Sequence, residues 1–147
     1  MNIYIHVEIL SREIDSKILL AILAADKGHE VLISDLETIT KGLQRNKLVP
    51  GIFHTKSLTP SDEKIKTHQS LIDKGSKITS IDEEAGLVDF GYEKFAKDRY
   101  SNTTLKQASA IFGWGPEDSN TLKKIYPDYS SKIFMTGSPR VDLWKPF

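Results

Sequence analysis

Residues 2–35 read NIYIHVEILSREIDSKILLAILAADKGHEVLISD. The first stretch, Asn2–Ile9, is apolar and β-branched over Ile3, Ile5, Val7 and Ile9, and reads as a strand. Ser11 is placed to cap a helix, with Glu13 and Asp15 in its first turn, where the helix dipole favours acid. Ile14, Ile18, Ile22 and Ala25 then recur at helical spacing, and Gly28 is placed for a C-cap. EVLISD, Glu30–Asp35, reads as a second strand. Strand, helix, short turn and strand make a βαβ unit, which implies a parallel sheet with a right-handed crossover.

The alternation continues outward from that unit. Gly51–Ser57 (GIFHTKS) is a third strand, and Thr59-Pro60-Ser61-Asp62 reads as a cap, a proline at the first helical position and then acid. That helix is predicted to run to about Lys74 and to stop at Gly75. Lys77–Asp82 is a fourth strand and Ala108–Gly115 a fifth, after which Pro116-Glu117-Asp118 opens a helix. Lys132–Gly137 is a sixth. The fold class is therefore α/β, a Rossmann-like open parallel sheet flanked by helices. It forms one domain over residues 1–137, with no internal repeat or low-complexity tract before residue 138.

Composition narrows the functions. The 147 residues suffice for one domain with a sizeable core, and 39% apolar against 27% charged residues is globular. Twenty basic residues balance twenty acidic ones, which removes the electrostatic footprint of a nucleic-acid binder. With no cysteine there are no disulfides or thiolate nucleophiles. His6, His29, His54 and His68 are scattered without H-x3-H or HExxH spacing, so no metal is expected. No apolar run reaches the roughly 18 to 20 residues of a membrane span, and the start lacks a signal-peptide pattern. The expected location is the cytoplasm.

In sheets of this kind ligands bind beyond the carboxyl ends of the strands, near the switch in strand order. There is no GxGxxG and no GxxxxGK[ST], and no cofactor is expected. After the first strand comes Arg12 at a helix start, where a cation opposes the dipole. It is either a surface arginine paired with a nearby acid or one aimed into the cleft for a carboxylate or phosphate. After the fourth strand come Asp82, Glu83 and Glu84, then Gly86. Three adjacent carboxylates are either a solvated turn or a general base with sugar-hydroxyl contacts. After the fifth strand, Gly113 and Gly115 around Trp114 permit close backbone approach to a ligand or helix, and the helix opened by Pro116 either offers free amides to an anion or belongs to a packed strand-to-helix turn.

The segments SREIDSKILLAILAADKGHEVLISD, SIDEEAGLV, IFGWGPEDSNTLKKIYP and FMTGSPRVDLWKP together resemble a bacterial surface-carbohydrate (surface polysaccharide) biosynthesis family, in its amino-terminal half. That family is similar to two-domain glycosyltransferases of the GT-B type, and more distantly to Kdo transferases and UDP-N-acetylglucosamine 2-epimerase. The resemblance runs from about Ile3 to Pro146. Its most specific pieces are Arg12-Glu13, Asp82-Glu83-Glu84-x-Gly86 and Gly137-Ser138-Pro139-Arg140-x-Asp142. One departure is Ala85-Gly86, where the family pattern has two glycines.

The resemblance implies an acceptor-side domain, with residues 138–147 starting a connection to a second domain that holds the nucleotide-sugar donor. Trp144 and Phe147 would then form an apolar patch, covered by that domain or by a homodimer. It implies Glu83 and Glu84, then Asp82 and Glu13, as candidates for the base that deprotonates a carbohydrate acceptor. Arg12 and Arg140 would position anionic groups, and Gly86 and Trp114 would line the substrate site. Two alternatives stand beside this reading: a stand-alone, non-catalytic flavodoxin-like binding or regulatory domain, and a nucleotide-sugar epimerase-like enzyme.

Overall fold

A computed structural model describes residues 1–86 and 88–144. Six strands form one sheet: β1 (Asn2–His6), β2 (Glu30–Ser34), β3 (Ile52–Thr55), β4 (Lys77–Ile81), β5 (Ala108–Gly113) and β6 (Ile133–Met135). All neighbouring pairs are parallel, in the order β2-β1-β3-β4-β5-β6. The expected α/β class and all six strands are present, each one to three residues shorter than the sequence suggests. The connecting helices are α1 (Leu10–Asp26), α2 (Leu36–Gln44), α3 (Asp62–Asp73), α4 (Tyr92–Arg99), α5 (Asn102–Gln107) and α6 (Pro116–Ile125), with α7 (Pro139–Asp142) after the last strand.

Two helix starts differ from expectation. α1 begins at Leu10 with Ile9 at the cap position, so Ser11 lies inside the first turn and caps nothing. Glu13 Oε2 instead reaches back across the helix start and accepts from the Glu8 amide at 3.0 Å. In α3 the cap is Ser61, accepting from the Lys64 amide at 3.2 Å, so Pro60 precedes the helix instead of opening it. Gly28 and Gly75 do close their helices in the left-handed region, at φ 81° and 93°.

The two faces of the sheet are unequally covered. On one, Tyr4, Phe53, Ile78, Ile111 and Ile133 pack beneath Ile39 and Leu43 of α2, Leu71 of α3, Phe95 of α4, Leu105 of α5 and Leu122 of α6. On the other, Ile5, His54, Thr79 and Ile81 lie under α1, which meets α7 at its side. α1 presents Glu13, Ser16 and Lys17 to the interior. The recurring isoleucines of the sequence point the other way, with Ile18 and Ile22 exposed. Between α1 and α7 a trough of about 350 Å³ stays open, lined by Ile3, Leu20, Phe112 and Pro139 with His54 and Thr79 at its floor.

Residues 138–144, expected to begin a connection, fold back on the domain. Ser138 is buried and caps α7 through the Arg140 amide, and the amides of Thr136 and Gly137 both bond to the Gly113 carbonyl. Trp144 is 75% exposed. Phe147, expected beside it, lies outside the described residues. Among the described residues no helix is long and apolar enough to cross a membrane.

Candidate functional site

The carboxyl ends of the strands carry a connected ionic cluster. Arg12 and Glu13 stand at the start of α1, and Asp82, Glu83 and Glu84 form the turn after β4. Arg12 Nη2 donates to Glu13 Oε1 at 3.0 Å, and its Nη1 lies 3.8 Å from Glu84 Oε1. Arg140 of α7 extends Nη1 to the Glu83 carbonyl at 3.5 Å. Trp114 donates from Nε1 to the Asp82 carbonyl at 2.8 Å. Gly86 lies flat against that indole: a Cβ built on it would stand 2.3 Å from Trp114 Cζ3, so the turn closes on the ring only with glycine there. All eight residues singled out in the sequence thus meet at one edge of the sheet.

The three carboxylates of the turn have different environments, contrary to a uniformly solvated turn. Asp82 is buried and held bidentately by Arg99, Nε to Oδ2 and Nη2 to Oδ1, both at 2.9 Å. Burial pushes its carboxyl above the usual range, and the guanidinium only partly offsets this. Glu83 is buried and paired with Lys17 of α1 at 2.5 Å. Glu84 alone is exposed, held between Arg99 at 3.1 Å and Arg12. Glu13 is fully buried. Burial alone would raise its carboxyl, but the Glu8 amide and Arg12 together hold it below the usual range.

Asp118 holds three of the amides around the start of α6, as a packed strand-to-helix turn would. Asp118 Oδ2 accepts from Trp114 at 2.8 Å, and its Oδ1 from Gly115 at 2.9 Å and Ser119 at 2.7 Å.

Beside the cluster a cleft of about 510 Å³ opens at the ends of β1 and β3. His6 lines it at the end of β1 and Glu8 just beyond, Thr55 and Lys56 at the end of β3, and Lys64 and His68 from α3. Lys56 forms an ion pair with Glu8, and Lys64 Nζ donates to Ser57 Oγ at 2.8 Å. His6 stacks on Phe53 at 6.1 Å, and His68 meets the same ring edge-on at 6.0 Å. Burial lowers both imidazoles, His68 to about 4. Scattered in sequence, these two histidines are joined by the fold.

Sequence reasoning missed Lys17, Arg99 and this cleft. Lys17 carried a signal, since it falls one turn after Glu13 on the same helix face. Arg99 carried none, because it belongs to a helix without strong periodicity. No family model, curated protein or solved structure matches the chain.

Proposed function

We propose that the chain is the acceptor-side, Rossmann-like half of a glycosyltransferase-like enzyme of bacterial surface-polysaccharide assembly. The observation that carries the reading is the edge cluster, in which Glu84 is the one carboxylate of the acidic turn open to solvent, between Arg12 and Arg99. A base must reach the proton it removes, and Asp82 and Glu83 are enclosed by their own cations. In this reading Glu84 takes the proton of an acceptor hydroxyl. The freed oxygen attacks the anomeric carbon of a nucleotide sugar, and the diphosphate leaves with the electron pair of the broken bond. Arg12 and Arg140 stabilise the anionic groups, while Asp82, Glu83 and Glu13 hold the turn and the arginines in place. The donor is held mainly by a second domain.

The test is nucleotide release from sugar-nucleotide donors in the presence of saccharide acceptors, by a protein that carries these residues together with the donor-binding second domain. Wild type should turn over, and Glu84→Gln should lose roughly two or more orders of magnitude while remaining folded. Unchanged turnover in the glutamine variant would remove Glu84 as base, and no transfer with any donor would remove the reading.

The strand order favours a second reading. β2-β1-β3-β4-β5 is the flavodoxin-like arrangement, with a cleft at the β1/β3 switch, and it suits a stand-alone binding or regulatory domain.

A further inference from the structure

Lys64 is a cation of the β1/β3 cleft that no carboxylate touches among the described residues. Its Nζ donates to Ser57 Oγ at 2.8 Å and to the Ser57 carbonyl at 3.4 Å. The other lysine and the carboxylates of the lining are accounted for. Lys56 pairs with Glu8, Glu37 with Lys41, and Asp35 caps α2 through the Thr38 amide, while Glu63 is exposed to water.

The place of Lys64 works against its charge. It stands in the first turn of α3, and its amine folds back to Ser57, ahead of the helix start, where the positive end of the dipole disfavours a cation. Asp62 and Glu63 precede it in that turn, but both are exposed. Burial, followed by the cations Arg99 and Lys56, holds the amine below its ordinary value of 10.5 against the pull of Asp82 and Glu8. An amine kept from charge in this way is a nucleophile. It also has room for a reactant. Lys64, Thr67 and His68 share one face of α3 by their spacing, and all three line the cleft of about 510 Å³ at the switch in strand order. Ser57 is buried, so its two bonds fix where Nζ sits. Asp35 and Glu63 bring negative charge to the same lining, which disfavours an anionic reactant.

We propose that the β1/β3 cleft takes a small neutral aldehyde or ketone, which Lys64 captures as an imine. Nζ adds its lone pair to the carbonyl carbon, and the carbonyl π pair moves to oxygen. The two protons of the amine then leave with that oxygen as water, and a C=N bond replaces the C=O. No oxidant or reductant is consumed. The step asks nothing of Glu84 or of a sugar nucleotide, so imine capture without sugar transfer would sink only the transferase reading, and transfer without capture would do the reverse.

The experiment is reductive trapping. The 147-residue chain is held near neutral pH with butyraldehyde and cyanoborohydride, and the alkylated lysines are mapped by mass spectrometry over time. Lys64 should be modified several-fold sooner than Lys27 and Lys74, although those two are exposed and Lys64 is half-buried. Its rate should saturate with butyraldehyde, as binding in a cleft requires, while theirs rise in proportion. Its lead should shrink as the pH is raised towards the ordinary lysine range. Lys64→Met should remove the early adduct at unchanged melting temperature. The proposal is overturned if Lys64 is modified no sooner than Lys27 and Lys74, or if its rate climbs with butyraldehyde without saturating.

Discussion

Lys17 and Glu83 meet at 2.5 Å inside the protein, with only 2% and 5% of their surfaces exposed. Lys17 Nζ has no other partner among the described residues. The pair ties the middle of α1 to the turn after β4, and so joins the two segments that carry Arg12 and Glu84. Two desolvated charges are tolerated because each answers the other, and removing one leaves the second stranded.

Glu83→Gln should therefore destabilise the chain by about 3–5 kcal/mol, the usual cost of breaking a buried pair. Adding Lys17→Met should recover much of that loss, because the orphaned ammonium goes with it. Urea unfolding followed by circular dichroism reads both values. A single variant as stable as wild type would mean that the pair is hydrated and that the turn is free of α1.

Gly86→Ala probes the contact between the acidic turn and Trp114. The new methyl would start 2.3 Å from the indole and must push it away, stretching the 2.8 Å bond to the Asp82 carbonyl. The expected cost is about 1–3 kcal/mol, as for other overpacked sites. In a Trp144→Phe background the emission reports Trp114 alone, and it should shift to the red as the ring becomes wetter. Unaltered emission and stability would show that the turn has room to spare.

α1 shows how far the sequence can be read. Strand alternation in Asn2–Ile9 and the helix-closing Gly28 specify the βαβ unit correctly, because backbone geometry is a local matter. Which face of the helix turns inward is not local. It depends on Glu83, distant in sequence, which draws Lys17 under the sheet edge and leaves Ile18 and Ile22 outside. That the eight nominated residues share one edge of the sheet was legible because each lies in a segment after a strand. His68 and Arg99 were not, because each enters the edge from a helix whose orientation only the packed sheet determines.

Ile22→Lys tests that orientation. By helical spacing it would bury a charge in the core, but at an exposed position it should change stability by no more than about 0.5 kcal/mol. Leu20→Lys, on the side of the same helix that faces the trough, should cost several times as much. Reversed values would put the isoleucine stripe against the sheet.

Acid should weaken the fold before its carboxylates titrate. Burial lowers His54 to about 3 and His68 to about 4, from an ordinary value of 6.5. Below about pH 6.5 the unfolded chain takes up protons at these sites that the folded chain refuses. Their contribution is therefore complete above about pH 6.5 and declines as pH falls towards 4, by up to about 1.4 kcal/mol per pH unit for each histidine. His6 is lowered for the same reason and adds to the slope. Asp82 acts in the opposite sense, since its raised carboxyl binds a proton more readily in the folded chain and offsets part of the loss on acidification. Glu13 is lowered, so its contribution is complete above about pH 4.5 and is lost as pH falls from there, overlapping the acid end of the histidine range. Urea midpoints measured across this range should begin to fall near pH 6.5, and histidine NMR signals should show His54 and His68 still neutral at about pH 5. A midpoint flat from neutrality down to about pH 5, with both rings protonated in the folded chain, would mean that the two imidazoles are solvated and that neither the trough nor the β1/β3 cleft is walled as described.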